Sequence, residues 1–288
     1  MKAIQPLCSS DGILLDDFTE RSFGWDPVMS PHETNWIGIF HYPPNWPGWL
    51  HPIAAAEKLL EAPLMQASLP ALRAAITLSK YHAQWLAQRL DVPVFCLLHP
   101  AFPADQHFHP DRYLAQSTRK VVQIGWTLRN SLAIQQVELP DGYEKIHLRP
   151  DLSPAHAAER RLAKYWNNRR SQHGSVTVMS RLNDQDYDSL LQESVVFLEL
   201  FDVSACNTVL ECIARATPIL VNRLPALEEY LGTDYPLFYD SLATASRNLD
   251  EKAILQAHEY LAVKDLTPLS VDTFLANLAD IVRQVGKP

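Results

Sequence analysis

The sequence predicts an α/β protein built on parallel sheets. Short apolar runs alternate with longer amphipathic stretches, the pattern of repeated strand–helix units. One run, Val195–Leu200, is apolar almost throughout, as a central parallel strand covered on both faces requires. The alternation breaks at Pro100–Thr118, a polar tract rich in His and Pro, and then restarts. This interruption predicts two domains, residues 1–112 and 113–267, with residues 268–288 as a closing C-terminal helix.

In the first domain the spacing predicts strands at Trp36–Phe40, Ala74–Leu78 and Val94–Leu98. Apolar residues recur at helical intervals in Ala54–Glu61 and Lys80–Leu90. Ahead of them, Ile13–Leu15 has strand character, and Trp25-Asp26-Pro27 through Pro31 reads as an ordered loop. The second domain is expected to place strands at Lys120–Gly125, Glu144–Leu148, Ser175–Met179, Val195–Leu200 and Pro218–Asn222. Helices are expected at Thr208–Arg215 and at Leu224–Leu231, the latter stopped by Gly232. Phe274, Leu275, Leu278, Ile281 and Val282 have the helical spacing of a final helix within Pro268–Val285.

Composition narrows the function. The 288 residues carry 25 Lys and Arg against 33 Asp and Glu, a net charge of −8, which argues against a general nucleic-acid binder. A local basic pocket for one small anion remains compatible with that balance. Cys8, Cys96, Cys206 and Cys212 show no CxxC spacing, so reduced, buried thiols and a cytoplasmic location are expected. The N-terminal residues lack the apolar core of a signal peptide, and no run of about 18 apolar residues predicts a transmembrane segment.

The stretch from Phe201 to Glu211 carries the most chemistry. A buried strand ends, a polar turn follows and a helix begins, and ligands of open parallel sheets bind at such strand ends. A helix N-terminus there offers free N–H groups and a positive dipole end to a phosphate. Ser204, Asn207 and Thr208 add small polar groups. Thr208-Val209-Leu210-Glu211 also fits a capping box, with Thr208 as the cap and Glu211 reaching back. Arg129 and Asn130 follow the strand Lys120–Gly125; an arginine fork suits a diphosphate, although arginines are mostly surface residues. In the first domain, His41 after Trp36–Phe40 is a candidate proton-transfer group, or a structural histidine. Ser79 holds the equivalent place on the next strand and is also a candidate helix cap. His99, His107 and His109 lack metal-site spacing, so no metal is expected. The absence of GxGxxG, GxxxxGK[ST] and GxSxG removes a dinucleotide fingerprint, a P-loop and a nucleophile elbow.

With those residues in view, the second domain resembles the donor-binding domain of GT-B glycosyltransferases, of the retaining type. The likeness follows the order strand–Arg129, strand Val195–Leu200, Ser204 to Glu211, then Thr217-Pro218 leading into a strand and Leu224–Gly232. It implies an α/β fold of two Rossmann-like domains facing a cleft, with a short first domain here. In the resemblance Glu211 takes the donor ribose, Ser204, Asn207 and Thr208 lie by the phosphates or sugar, and Arg129 with Asn130 binds the diphosphate. The first domain shares the family's architecture only; by their own positions Tyr42, Pro44, Trp46 and Trp49 are candidate acceptor contacts, with Ser79 on the same side and His41 the candidate catalytic residue. The family's E-x7-E pattern asks for an acid at position 203, which is Val203; Glu199 and Asp202 are near but out of register.

The expected function is therefore a hexosyltransferase-like enzyme that moves a sugar from a nucleotide diphosphate sugar to a glycan, small-molecule or protein acceptor, with no metal or other cofactor. A non-catalytic nucleotide-sugar or glycan binding protein on a degenerate GT-B scaffold is the alternative that Val203 and the short first domain motivate.

Overall fold

The computed structural model describes residues 12–25, 30–48, 50, 55–165 and 174–286. Cys8, Trp49, Ala54 and the loop residues 26–29 lie outside the described residues. The chain divides into two compact units: Met1–Pro100 with Asp202–Ala205 and Leu266–Pro288, and Ala101–Phe201 with Cys206–Asp265.

The first unit runs β1 (Leu14–Asp16), a π-helical turn at Arg21–Trp25, β2 (Trp36–Phe40), α1 (Ala56–Glu61), α2 (Pro63–Ser68), β3 (Leu72–Thr77), α3 (Lys80–Leu86) and β4 (Val94–Cys96). The second holds α4 (Pro110–Leu114), β5 (Arg119–Ile124), α5 (Ala133–Gln136), β6 (Tyr143–Leu148), α6 (Ser153–Tyr165), β7 (Val176–Met179), α7 (Asp184–Gln192) and β8 (Ser194–Leu198). It continues with α8 (Asn207–Arg215), β9 (Ile219–Asn222), α9 (Pro225–Leu231), β10 (Phe238–Tyr239), α10 (Leu242–Arg247) and α11 (Glu251–Ala262). The last helix, α12 (Val271–Val285), belongs to the first unit.

In the first unit β1-β2-β3-β4 form a parallel sheet in chain order. Every residue of β2 is buried, so its period-two alternation feeds two cores. Trp36 and Phe40 pack with Leu59, Met65 and Leu86 on one face, where the Trp36 indole also donates to Ser68 O at 2.8 Å. Ile37 and Ile39 pack with Ile76, Leu97 and the α12 residues Leu278 and Ile281 on the other. Each such buried aliphatic side chain contributes about 1.5–3 kcal/mol. The final helix thus seals this sheet.

In the second unit the six strands are all parallel, in the order β10-β9-β8-β5-β6-β7. From the β5–β8 pair the chain winds outward one way through β6 and β7, and the other way through β9 and β10. This is a doubly wound sheet, whose crevice lies at the strand C-termini where the order reverses. The reversal sits between β5 and β8. There Val121, Val122, Val195 and Val196 pair in register and are wholly buried.

Residues 101–112, expected to close the first domain, join the second unit through backbone bonds. Phe108 N reaches Arg215 O, and His109 N reaches Gln192 O, both at 2.9 Å. The tract expected as irregular also contains α4, started by Pro110 at its first position and anchored by buried Tyr113.

A Cβ at Gly38 would meet the Trp36 ring at 2.7 Å and the Thr19 methyl at 2.8 Å. Gly38→Ala is therefore expected to cost about 1–3 kcal/mol through overpacking, checked by urea unfolding.

Candidate functional site

The reversal point of the second unit is built from two stitched loops. After β5 the chain turns through Gly125 (φ 80°) and Leu128 (φ 58°). Leu128 holds a left-handed conformation that costs a side-chain-bearing residue about 1–2 kcal/mol. What holds it is the loop after β8: Phe201 N donates to Leu128 O at 2.9 Å and Asn130 N to Glu199 O at 2.8 Å. Arg129 pairs with Leu200 between them.

This turn aims Arg129 at the start of α8. Its Nη2 donates to Thr208 Oγ1 at 3.1 Å and to Cys206 Sγ at 3.4 Å; its Nη1 donates to Thr127 O at 2.8 Å. Among the described residues no carboxylate is its partner, and its buried Nε makes no hydrogen bond. Gly125 leaves room for the guanidinium, since a Cβ there would lie 3.1 Å from Arg129 Cζ. A half-buried cation left without a counter-ion is a receptor for an anion.

Helix α8 adds to the same spot. Its N-cap is Cys206, whose side chain caps nothing, and the first helical bond runs from Leu210 N to Cys206 O at 3.0 Å. The amides of Asn207, Thr208 and Val209 precede that bond and stand at the positive end of the helix dipole. The capping box expected from Thr208 and Glu211 is not formed. The helix starts one residue earlier, so Thr208 lies inside it and Glu211 Oε2 accepts instead from the Tyr187 hydroxyl at 2.5 Å. Burial, reinforced by Glu211, pushes the Tyr187 pKa up, so the phenol stays a donor.

Asn130 is engaged at both ends: Nδ2 donates to Glu199 Oε2 at 2.5 Å, and Oδ1 accepts from Leu132 N at 3.1 Å. It holds Glu199, whose pKa burial raises. Asn207 is exposed on the first turn of α8.

Ser204 lies elsewhere. Residues Asp202–Ala205 associate with the first unit, although the sequence places them between β8 and α8. Ser204 Oγ contacts His82 Nδ1 at 3.0 Å and Ser79 Oγ at 3.4 Å. Ser79 caps α3 by accepting from His82 N at 3.2 Å. His82 is buried, its pKa lowered to about 3 by desolvation and then by nearby His41, and its Nε2 has no partner. Asp202 accepts from the Tyr81 hydroxyl at 2.9 Å and from Asn45 N at 2.8 Å. Its pKa is raised by burial, against those bonds. Val203, at the position where an acid was expected, is buried.

His41 Nε2 lies 2.9 Å from Asp17 O, so that nitrogen carries the proton and Nδ1 is the acceptor. Burial lowers its pKa and favours the neutral ring. Tyr42 stacks on Trp46 with ring centroids 4.3 Å apart, and the buried Trp46 Nε1 lacks a partner. Beneath the turn lies Glu20, 1% exposed, which accepts from both His41 N and Tyr42 N. Sequence reasoning missed Glu20 and Tyr187, because neither stands in a motif and each matters only through what the fold puts beside it.

Among the described residues no three His, Cys, Asp or Glu side chains gather as a metal site. No described helix is long and apolar enough to cross a membrane.

Tyr81→Phe removes a donor from buried Asp202 and is expected to cost about 1–3 kcal/mol at neutral pH. Chemical denaturation checks this; an unchanged midpoint would mean that water already satisfies the carboxylate.

No family model matches the sequence, and no curated protein matches it. Solved structures do match. A trehalose-6-phosphate structure from E. coli bound with UDP-2-fluoro glucose superposes with a TM-score of 0.62 at 11% identity, over 99% of this chain and 76% of that one. Sucrose-phosphate synthase from Thermosynechococcus elongatus gives 0.62 at 13% identity, over 88% and 68%. The α,α-trehalose 6-phosphate synthase from Burkholderia multivorans gives 0.60 at 12%, over 99% and 74%. At these identities the likeness is one of fold. The chain has the fold of the GT-B glycosyltransferases, to which trehalose-phosphate and sucrose-phosphate synthases belong.

Proposed function

We propose that the chain transfers a sugar from a nucleotide diphosphate sugar to an acceptor without a metal ion. The observation that carries this reading is Arg129, a guanidinium with no acidic partner among the described residues, bonded to Thr208 at the uncapped start of α8. In the reaction the bond between the anomeric carbon and the diphosphate oxygen breaks, and negative charge grows on the leaving diphosphate. Arg129 and the first-turn amides of α8 take up that charge, which removes the need for a cation.

Glu211 is assigned the donor ribose through its Oε1, with Oε2 held by Tyr187. Thr208 and Asn207 contact the phosphates. Asn130 acts indirectly by fixing Glu199, and Ser204 acts as a brace for its loop. His41 is assigned the catalytic proton or sugar contact through Nδ1, and Tyr42 and Trp46 the acceptor side. A uridine diphosphate sugar is the first donor to test, because a structural neighbour is bound with UDP-2-fluoro glucose.

The alternative is a binding protein that does not turn its ligand over. Val203 favours it, together with the engagement of Glu199 by Asn130 and of Asp202 by Tyr81 and Asn45. A panel of nucleotide sugars with broad acceptors separates the two: transfer releases free nucleoside diphosphate, whereas binding alone gives only a thermal shift. A ligand at 100 times its dissociation constant adds about 2.7 kcal/mol, which such a panel detects.

Arg129→Ala is expected to weaken nucleoside diphosphate binding by about 10- to 100-fold while leaving the folding stability of the free protein nearly unchanged. Isothermal titration beside a thermal melt reads both. Glu211→Gln should lower affinity for a nucleoside diphosphate and leave that for inorganic pyrophosphate unaltered. Equal losses for both ligands would remove the ribose assignment.

A further inference from the structure

We propose that Glu20 works as a neutral carboxylic acid that positions the His41–Tyr42 turn; the catalytic part of this rests on the role proposed above for His41. The geometry divides the two carboxyl oxygens. Oε1 gathers both backbone donors, His41 N at 2.8 Å and Tyr42 N at 2.7 Å. Oε2 lies 3.3 Å from the Thr19 hydroxyl.

Thr19 has a single proton and a second acceptor in reach, Ile39 O at 3.2 Å. If Thr19 gives its proton to Ile39, its oxygen is free to accept, and Oε2 needs a proton to donate. The chain Glu20 Oε2–H to Thr19 Oγ1, then Thr19 Oγ1–H to Ile39 O, satisfies every atom without a buried charge. An ionised Glu20 would compete with Ile39 O for that one proton.

The surroundings favour the neutral form. Glu20 is 1% exposed, and among the described residues no cationic side chain pairs with it. The nearby acids have partners of their own: Asp16 meets His32 Nε2 at 3.0 Å and Asp17 meets Arg21 at 3.4 Å. His41 is held neutral by burial, and Tyr42 remains protonated because burial and Glu20 both raise its pKa. Burial raises the Glu20 pKa to about 7, and outweighs the hydrogen bonds from Tyr42 N, its own backbone N–H, His41 N and the Thr19 hydroxyl, which lower it. Gly38 fixes the relay in place, since the Thr19 methyl packs where a Cβ would stand.

The sign of the pH dependence follows. A carboxyl whose pKa is higher in the folded than in the unfolded chain stabilises the fold in acid, and that contribution is lost as pH rises. The window runs from the ordinary glutamate value of 4.5 to about 7. Within it this one group raises the unfolding constant by up to about tenfold per pH unit.

The test measures unfolding of the wild type, Glu20→Gln and Glu20→Ala between pH 5 and 8. Glutamine copies the neutral acid, with a carbonyl for the two amides and an NH2 for Thr19. The expected result is that Glu20→Gln matches the wild type near pH 5 and loses the Glu20 contribution to the slope. A Gln variant that is less stable throughout, with an unchanged slope, overturns the neutral acid. This readout needs no ligand, so it stands even if the chain transfers no sugar. Where turnover is measurable, Glu20→Gln should retain the wild-type kcat and Glu20→Ala should lower kcat with KM little changed. A kcat equally reduced in both variants overturns the positioning role.

Discussion

The pairing of β5 with β8 is the contact from which the second unit takes its order. Three residues on each strand meet in register, Lys120–Val122 against Ser194–Val196, and the valines among them are sealed from water. Successive crossovers leave this pair in opposite directions, the arrangement that opens a crevice at the strand C-termini. The loops emerging there are neighbours by construction of the sheet. That adjacency brings Arg129, on the loop after β5, to Thr208, which the sequence holds 79 positions away. Strain at Leu128 is tolerated for the same reason, since Phe201 from the other loop holds its carbonyl.

A second regularity runs through the buried polar groups. Glu20, Asp202 and Glu199 are each withdrawn from solvent, and each accepts hydrogen bonds rather than pairing with a cation. Arg129 is the reverse case, a cation that accepts no acid. Placing these acids where amides and hydroxyls satisfy them leaves the Arg129 guanidinium without a competitor among them. A carboxylate within reach of Arg129 would neutralise it in the free protein and would have to be displaced by any incoming anion.

Much of the fold was legible because the physics is local. Val195–Leu200 is apolar enough to be a doubly covered strand, and the alternation along Trp36–Phe40 is that of a strand facing two cores. Boundaries moved by one to a few residues, as at α8, which begins at Asn207, and at α3, which ends at Leu86. The juxtaposition carried by topology was legible in outline, since strand-end reasoning marked both Arg129 and Thr208, whose side chains lie 3.1 Å apart. What escaped was relational. Nothing near Glu20 in the chain announces that two amides from a turn 21 residues onward will converge on it. Nor does Ser204 announce that its partners are Ser79 and His82, rather than the helix it precedes.

The placement of α12 has a consequence for how the chain comes into being. The sheet of the first unit closes one face with Leu278 and Ile281, from the end of the chain. A nascent chain emerges N-terminus first at about 5–20 residues per second, so roughly ten to thirty seconds of synthesis separate Pro100 from Leu266. Through that interval Ile37, Ile39, Ile76 and Leu97 are made but lack their cover. The sheet face of the first unit is thus covered only after the whole second unit has been made.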